Sequence, residues 1–262
     1  MVAGGETGDP TVATKKAQDL TEPGRDLKRS RRPTRLSVVV PAYNEASTLR
    51  QSLDRLLKVD LPLELEVIVV DDGSTDGCTA TIDDLIDGTR VKIVRHERNL
   101  GKGAALLTGF EHATGEFATI HDADLEYDPN DLKIMLEPVI AGEALVVYGT
   151  RSFGAHTAFS FWYVIGNKFI SFWASMIFNS WLSDIATCYK LAPLEVWRSL
   201  RLRGTGFELE PEATGKLLRR GFRIYEVPIK YNARTREEGK KLHWRDGVMA
   251  IWVLLRVRFS RP

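Results

Sequence analysis

Two carboxylates one residue apart, Asp122 and Asp124 around Ala123, come closest in this sequence to doing chemistry by themselves. The apolar run Phe117-Ala118-Thr119-Ile120 precedes them, so both sit where a buried strand would end. Like charges held that close are costly unless a cation neutralises them. Oxygen-only donors suit Mg²⁺ or Mn²⁺, and an ion so held usually bridges to substrate phosphates. Glu126, two residues on, offers a third candidate oxygen. A lone D-x-D pattern is otherwise a solvated acidic loop; its place after a hydrophobic strand favours the metal.

Two further polar clusters also follow apolar runs. Asp71-Asp72-Gly73-Ser74 comes after Leu65 to Val70, where a rigidly held carboxylate could accept from a base N–H or cap the next helix. Pro41-Ala42-Tyr43-Asn44-Glu45 follows Leu36 to Val40; Tyr43 could stack on a base and Glu45 could hydrogen-bond a ribose or base. The same residues could equally start a capped helix. Gly101-Lys102-Gly103 matches neither phosphate-loop nor dinucleotide fingerprint and reads as a tight loop before a helix. The five histidines show no metal-ligand spacing, and His121 reads as a packing or hydrogen-bonding residue. The absence of G-x-S-x-G argues against a hydrolase.

These clusters need a frame. Apolar runs at 36–41, 65–70, 91–94, 117–120 and 145–149 read as buried strands. Between them, Leu49, Leu53, Leu56 and Leu57 mark one helix face, with further helices expected near 76–87 and 102–113. Such alternation predicts an α/β fold with a mostly parallel sheet and helices on both faces. The polar clusters then gather at the carboxyl ends of strands, where open α/β sheets bind ligands.

A net charge of +1 gives no reason to expect a nucleic-acid partner, and two distant cysteines fit a reduced compartment. Residues 1–34 lack hydrophobic periodicity and read as a disordered arm. Its basic end, Lys28 to Arg35, is either a solubilising tail or an anchor for anionic headgroups. Met1 to Asp26 carries no apolar run, so a signal peptide is not expected and the cytoplasm is the simplest address. Phe159 to Leu182 is rich in aromatics but broken by Asn167, Lys168 and Asn179; Trp244 to Phe259 repeats the theme. Both suit amphipathic helices at a membrane interface better than a span.

Taken together, Val40 to Glu45, Val69 to Ser74 and Asp122-Ala123-Asp124 resemble the inverting nucleotide-sugar glycosyltransferases of the GT-A fold. Gly149-Thr150-Arg151, Gly166-Asn167-Lys168, Asp184 to Lys190, and Tyr225 to Ile229 with Arg234 and Lys240 narrow the likeness to the dolichyl- and polyprenyl-phosphate sugar synthases. The likeness implies a Rossmann-like GT-A domain over 35–235, aromatic amphipathic helices within 158–183, and a membrane-interface helix over 236–262. It implies that Pro41, Tyr43, Glu45, Val70 and Asp72 hold the nucleoside, with Asp122, Ala123 and Asp124 at the diphosphate. Asp122, Asp124 and Glu126 would serve Mg²⁺ or Mn²⁺. Arg151, Arg234 and Lys240, with Lys168, would surround the acceptor phosphate. Glu126 stands where several relatives carry Gln, and Lys168 where relatives often carry Arg, a point charge replacing a bidentate fork.

The reaction so implied moves a hexose from GDP-mannose or a UDP-sugar to a polyprenyl phosphate, with one inversion. Asp124, Arg151, Arg234 and Lys240 would carry it, peripherally attached to the inner face of a membrane, with a small membrane protein as one conceivable partner. Two alternatives stay open: a hydroxyl acceptor in cell-envelope polysaccharide or glycolipid synthesis, and a non-catalytic nucleotide-sugar sensor. A hydroxyl acceptor needs a base. Glu208, Glu210 and Glu212 form the obvious acidic cluster, although they also suit the acidic start of a helix.

Overall fold

The computed structural model describes residues 33–154, 161–233 and 244–260. Its frame is a seven-stranded sheet: β1 Arg35–Ala42, β2 Glu64–Asp71, β3 Val91–Arg95, β4 Phe117–Ile120, β5 Val146–Thr150, β6 Lys190–Pro193 and β7 Ile224–Pro228. Their spatial order is β3-β2-β1-β4-β6-β5-β7. Pairing is parallel from β3 through β4 and between β5 and β7, as expected. Strand β6 is the exception and runs antiparallel to both its neighbours.

The apolar runs became strands because both faces of the sheet are covered. Val38, Val39 and Val40 point alternately up and down, yet all three are fully buried. Helix α1, Leu49–Leu57, buries Leu49, Leu53 and Leu56 along one face. Helix α2, Lys102–His112, lies so close to β1 that a Cβ on Gly109 would meet Val39 Cγ1 at 2.2 Å. Helices α3 (Asp131–Ile140), α4 (Phe161–Phe178), α5 (Leu194–Ser199), α6 (Leu209–Arg219) and α7 (Trp244–Phe259) complete the described elements.

The helix expected near 76–87 is instead a 3-10 helix over Cys78–Leu85. Thr79 and Thr81 stiffen the segment at χ1, and the Thr81 hydroxyl donates to the Cys78 carbonyl at 2.6 Å, competing with α-helical bonding. Ala174, Leu182, Ile185 and Leu254 form a satellite cluster in which α4 and α7 meet.

The chain moves outward from β1 to β2 and β3, then crosses back so that β4 lies on the other side of β1. The carboxyl ends of β1 and β4 therefore flank a topological switch point, the crevice where open α/β sheets bind ligands.

Candidate active site

The turn after β4 places Asp122 opposite the first residue of α2. Lys102 Nζ lies 2.8 Å from Asp122 Oδ1, 3.3 Å from Glu210 Oε1 and 3.1 Å from Cys188 Sγ. The Cys188 thiol donates to Asp122 Oδ2 at 2.7 Å. Lys190, fully buried on β6, reaches the other oxygen of Glu210 at 3.3 Å and lies over the Tyr148 ring. Asp122, Lys102, Glu210 and Lys190 thus alternate in sign, the first two half-buried and the last two buried, each beside its opposite. Burial opposes the charge on Lys102, but the Asp122 carboxylate overrides it and raises the ammonium pKa well above its ordinary value. Burial likewise disfavours the Asp122 carboxylate, and Lys102 reverses the balance, holding it below the usual carboxylate range.

Lys102 is aimed there by a crossing of two glycine loops. Gly101 has φ +98°, and a Cβ on it would sit 2.4 Å from the Thr205 carbonyl oxygen. The Ala104 N–H donates to that same carbonyl at 3.2 Å. The 204–206 loop is in turn held by Glu208, which accepts from the Thr205 and Gly206 N–H groups at 3.0 Å each. Glu212 accepts from the Arg203 and Gly204 N–H groups.

Asp124 accepts the Glu126 N–H at 3.1 Å across Leu125, which adopts a left-handed φ of 65°. A bulky residue in that region is a local strain that persists only where surroundings impose it, and such residues cluster at functional sites. The Glu126 carboxylate accepts from the Tyr231 hydroxyl. Burial, followed by the Glu126 charge, pushes the Tyr231 phenol far above its ordinary pKa, so it remains a donor. His121, one residue before Asp122, is buried between Ser52 at 3.1 Å and the Tyr189 hydroxyl at 2.7 Å. Burial lowers its pKa to about 4 and keeps it neutral.

On the nucleoside side, Tyr43 is partly exposed, whereas Val70 is fully buried and can offer a ligand only its backbone. Ala123 is buried as well, and Pro41 pairs with Val70 in the sheet register. The Thr48 hydroxyl donates to Glu45 at 2.9 Å. Asp72 is committed within the chain: the Leu100 and Gly101 N–H groups donate to it at 2.9 and 2.8 Å, and His96 Nδ1 lies 2.7 Å away. It braces the loop that leads to Lys102.

The cationic side forms at the end of β5. Arg151 makes a bidentate pair with Asp184, Nε to Oδ2 at 2.7 Å and Nη2 to Oδ1 at 2.8 Å. Asn167 of α4 donates to the same carboxylate at 3.0 Å. Burial opposes ionisation of Asp184, but Arg151 overrides it and drives the carboxyl pKa far below normal. Lys168 donates to Ser152 Oγ at 2.6 Å and faces the Ser183 carbonyl, which brings it beside Arg151. The guanidinium carbon of Arg151 lies 4.9 Å from the Tyr231 ring centroid. The acidic and basic halves are therefore one tyrosine apart. Arg234 and Lys240 lie outside the described residues.

Several residues here escaped sequence reasoning. In sequence, Lys102 reads as part of a tight loop, and Glu210 as a helix start or a base for a hydroxyl acceptor. Their pairing depends on the 204–206 loop crossing the 101–103 loop, which no local pattern announces. Lys190 carried a signal, a lysine at the head of the run Lys190-Leu191-Ala192-Pro193, where only a paired charge can be buried. Tyr231 carried none.

Among the described residues, no three His, Cys, Asp or Glu side chains gather as a metal cage. Asp122, Asp124 and Glu126 instead divide among different partners. Mg²⁺ commonly takes only one or two carboxylates and completes its shell with water and substrate phosphates. Hard oxygens on a strained turn at a switch point fit that mode of binding.

Comparison with known proteins settles the family. The model of glycosyl transferase family 2 matches residues 37–190, more than half of the chain. The chain belongs to that family. Polyprenol monophosphomannose synthase of Mycolicibacterium smegmatis is 28% identical over 80% of this chain and 82% of its own length. Dolichol-phosphate mannosyltransferase of Pyrococcus furiosus is 27% identical over 79% of this chain and 59% of its own. An undecaprenyl-phosphate 4-deoxy-4-formamido-L-arabinose transferase of Aeromonas hydrophila is 37% identical over 42% of this chain, and the match spans 35% of that longer protein. Among solved structures, glucosyl-3-phosphoglycerate synthase of Mycobacterium tuberculosis with Mn²⁺ and UDP-glucose superposes at TM-score 0.67 and 20% identity, covering 98% of this chain and 86% of that one. The fold of this family 2 glycosyltransferase is thus of the GT-A, Rossmann-like type, as expected.

Proposed function

We propose that this glycosyltransferase moves a hexose, with inversion, from a nucleotide sugar to a polyprenyl or dolichyl phosphate at a membrane surface. The carrying observation is the cationic pair Arg151 and Lys168 set one tyrosine from the acidic turn at the switch point. A lipid phosphate is already an anion near neutral pH and needs no base, only cations that hold it beside a second anion. The carboxylates that could serve a hydroxyl acceptor are engaged elsewhere: Glu208 and Glu212 by backbone N–H groups, Glu210 by Lys102 and Lys190. The relatives named for polyprenyl and dolichyl phosphates point the same way.

Asp124 and Glu126 would hold a divalent ion, Mg²⁺ or Mn²⁺, with the donor's diphosphate. Such an ion supplies stabilisation of charge building on the departing nucleoside diphosphate. Tyr43 would stack on the base beside the backbone of Pro41 and Val70, while Asp72 keeps the loop before Lys102 in place. Arg151 and Lys168, joined by Arg234 and Lys240, would orient the acceptor phosphate for attack from the face opposite the leaving group.

Attachment to the bilayer would be peripheral. Among the described residues no helix is long and apolar enough to cross a membrane. Phe161, Ile165, Phe169, Phe172 and Met176 nevertheless stand exposed along α4, at spacings of one helical face. Val248, Trp252, Leu255 and Phe259 repeat this on α7, with Arg256 lying over Trp252. Exposed apolar stripes beside cations suit a headgroup boundary.

The test is a panel of radiolabelled GDP-mannose, UDP-glucose and UDP-N-acetylhexosamine with polyprenyl phosphate and Mn²⁺ or Mg²⁺. Label in a lipid-phosphate-linked sugar is expected for one donor. Transfer only to hydroxyl acceptors would overturn the reading.

A further inference from the structure

Tyr231 touches both halves of the site. Its hydroxyl donates to the Glu126 carboxylate, and its ring face carries the Arg151 guanidinium. The backbone is fastened at the same place. The Asn232 N–H donates to the Glu126 carbonyl at 2.8 Å, and residues 127 and 231 form an antiparallel bridge. Behind the ring, Tyr127 meets it edge-on with centroids 5.1 Å apart, and Tyr127 stacks on Tyr189 at 4.7 Å. Tyr231 is 5% exposed. Its ring has little room to tilt, so its two ends keep a fixed spacing.

That spacing has chemical meaning. A glutamate side chain has three rotatable bonds, and a rigid donor confines its carboxylate on the acidic turn. A guanidinium on a long stem is likewise localised by an aromatic face, which favours the cation and limits the plane it can adopt. Arg151 has its other edge fixed by Asp184, leaving its position defined from two sides.

We propose that Tyr231 is a positioning residue shared by the two substrates, its hydroxyl setting Glu126 for the metal-bound diphosphate and its ring setting Arg151 for the anionic acceptor. This rests on the functional reading above. The two roles are separable, because Tyr231→Phe deletes the hydroxyl and keeps the ring, whereas Tyr231→Leu deletes both.

The experiment measures binding of UDP and of GDP by calorimetry across an Mn²⁺ titration, with no acceptor present. It then measures the KM for polyprenyl phosphate with the donor that supports turnover. Tyr231→Phe should weaken metal-dependent nucleotide binding about tenfold, the size of one hydrogen bond to a charged group, and leave the acceptor KM within about twofold. Tyr231→Leu should add a rise of about tenfold in acceptor KM. In a Glu126→Ala background, Tyr231→Phe should have no further effect on nucleotide binding. The inference is overturned if Tyr231→Phe binds as the unaltered protein does, if its effect persists without the Glu126 carboxylate, or if both variants lose stability with no shift in either affinity. Should the unaltered protein bind neither nucleotide with Mn²⁺, the functional reading falls and this inference with it; normal binding there with an unchanged Tyr231→Phe removes this inference alone.

Discussion

Replacing Asp184 by asparagine tests whether Arg151 is a pre-set cation or a mobile one. The substitution preserves shape but leaves the guanidinium, whose side chain is only 17% exposed, facing a neutral amide where it now meets a carboxylate at 2.7 Å. Removing one partner of a buried ion pair costs about 3–5 kcal/mol, because the remaining charge stays buried without compensation. The partial exposure of Arg151 argues for the lower end, about 3 kcal/mol. At about 2–4 °C per kcal/mol for a chain of this size, the melting temperature should fall by roughly 6–12 °C. Urea denaturation monitored by tryptophan fluorescence gives the free energy, and the cycle with Arg151→Met isolates the pair. The double variant Arg151→Met with Asp184→Leu should give no transfer to lipid phosphate and recover only part of the loss, because the Asn167 amide and the backbone N–H of residue 151 lose their acceptor. The pH dependence has a definite sign. The folded-state pKa of Asp184 is depressed, so its contribution is full above the ordinary carboxylate range and disappears as pH falls below it. A single-variant cost below about 0.5 kcal/mol would refute the reasoning, since it would mean the bidentate pair does not hold Arg151.

Other outcomes follow from separate features. Asp124→Asn keeps an oxygen for the Glu126 N–H and removes only the charge. Metal-dependent transfer by the folded variant should drop at least about a hundredfold, with its fold checked by the urea transition; retained turnover would remove Asp124 from the reaction. Glu66, 1% exposed and held by Ser37, Thr114 and Lys92, has its pKa lowered to about 2 from 4.5 despite burial. It stabilises the fold fully above pH 4.5, by up to about 3 kcal/mol before screening at the partly exposed Lys92. That contribution fades as pH falls from 4.5 toward 2, and Glu66→Gln should flatten the acid limb of a stability–pH curve. Gly101→Ala should cost about 2 kcal/mol or more, because the φ of +98° and the Thr205 carbonyl oxygen at 2.4 Å both exclude a Cβ. Combined fluorescence melts and donor KM would show the loss reaching the site through Lys102.

How much of this was legible in advance depends on the distance over which each feature is decided. Strands β1 to β5 could be read from short apolar runs, because a strand packed within a covered sheet keeps few polar positions, and those it keeps, such as Ser37 and Glu66, must be paired. The acidic pair and the two polar clusters could be placed at strand ends for the same reason, since chemistry can begin only where burial stops. Even the family was visible from the order of those motifs. Tertiary structure alone decided the antiparallel insertion of β6, which brings Lys190 and Cys188 beside the turn after β4. It also decided that Lys102 pairs with Asp122 and Glu210, that Arg151 is clasped by Asp184, and that Tyr231 bridges to Glu126 across 105 residues of chain. Periodicity reports on neighbours a few residues apart and carries no record of which distant charge will be buried beside which. A charge withdrawn from water must find an opposite partner, and only the packed chain determines which one lies within reach.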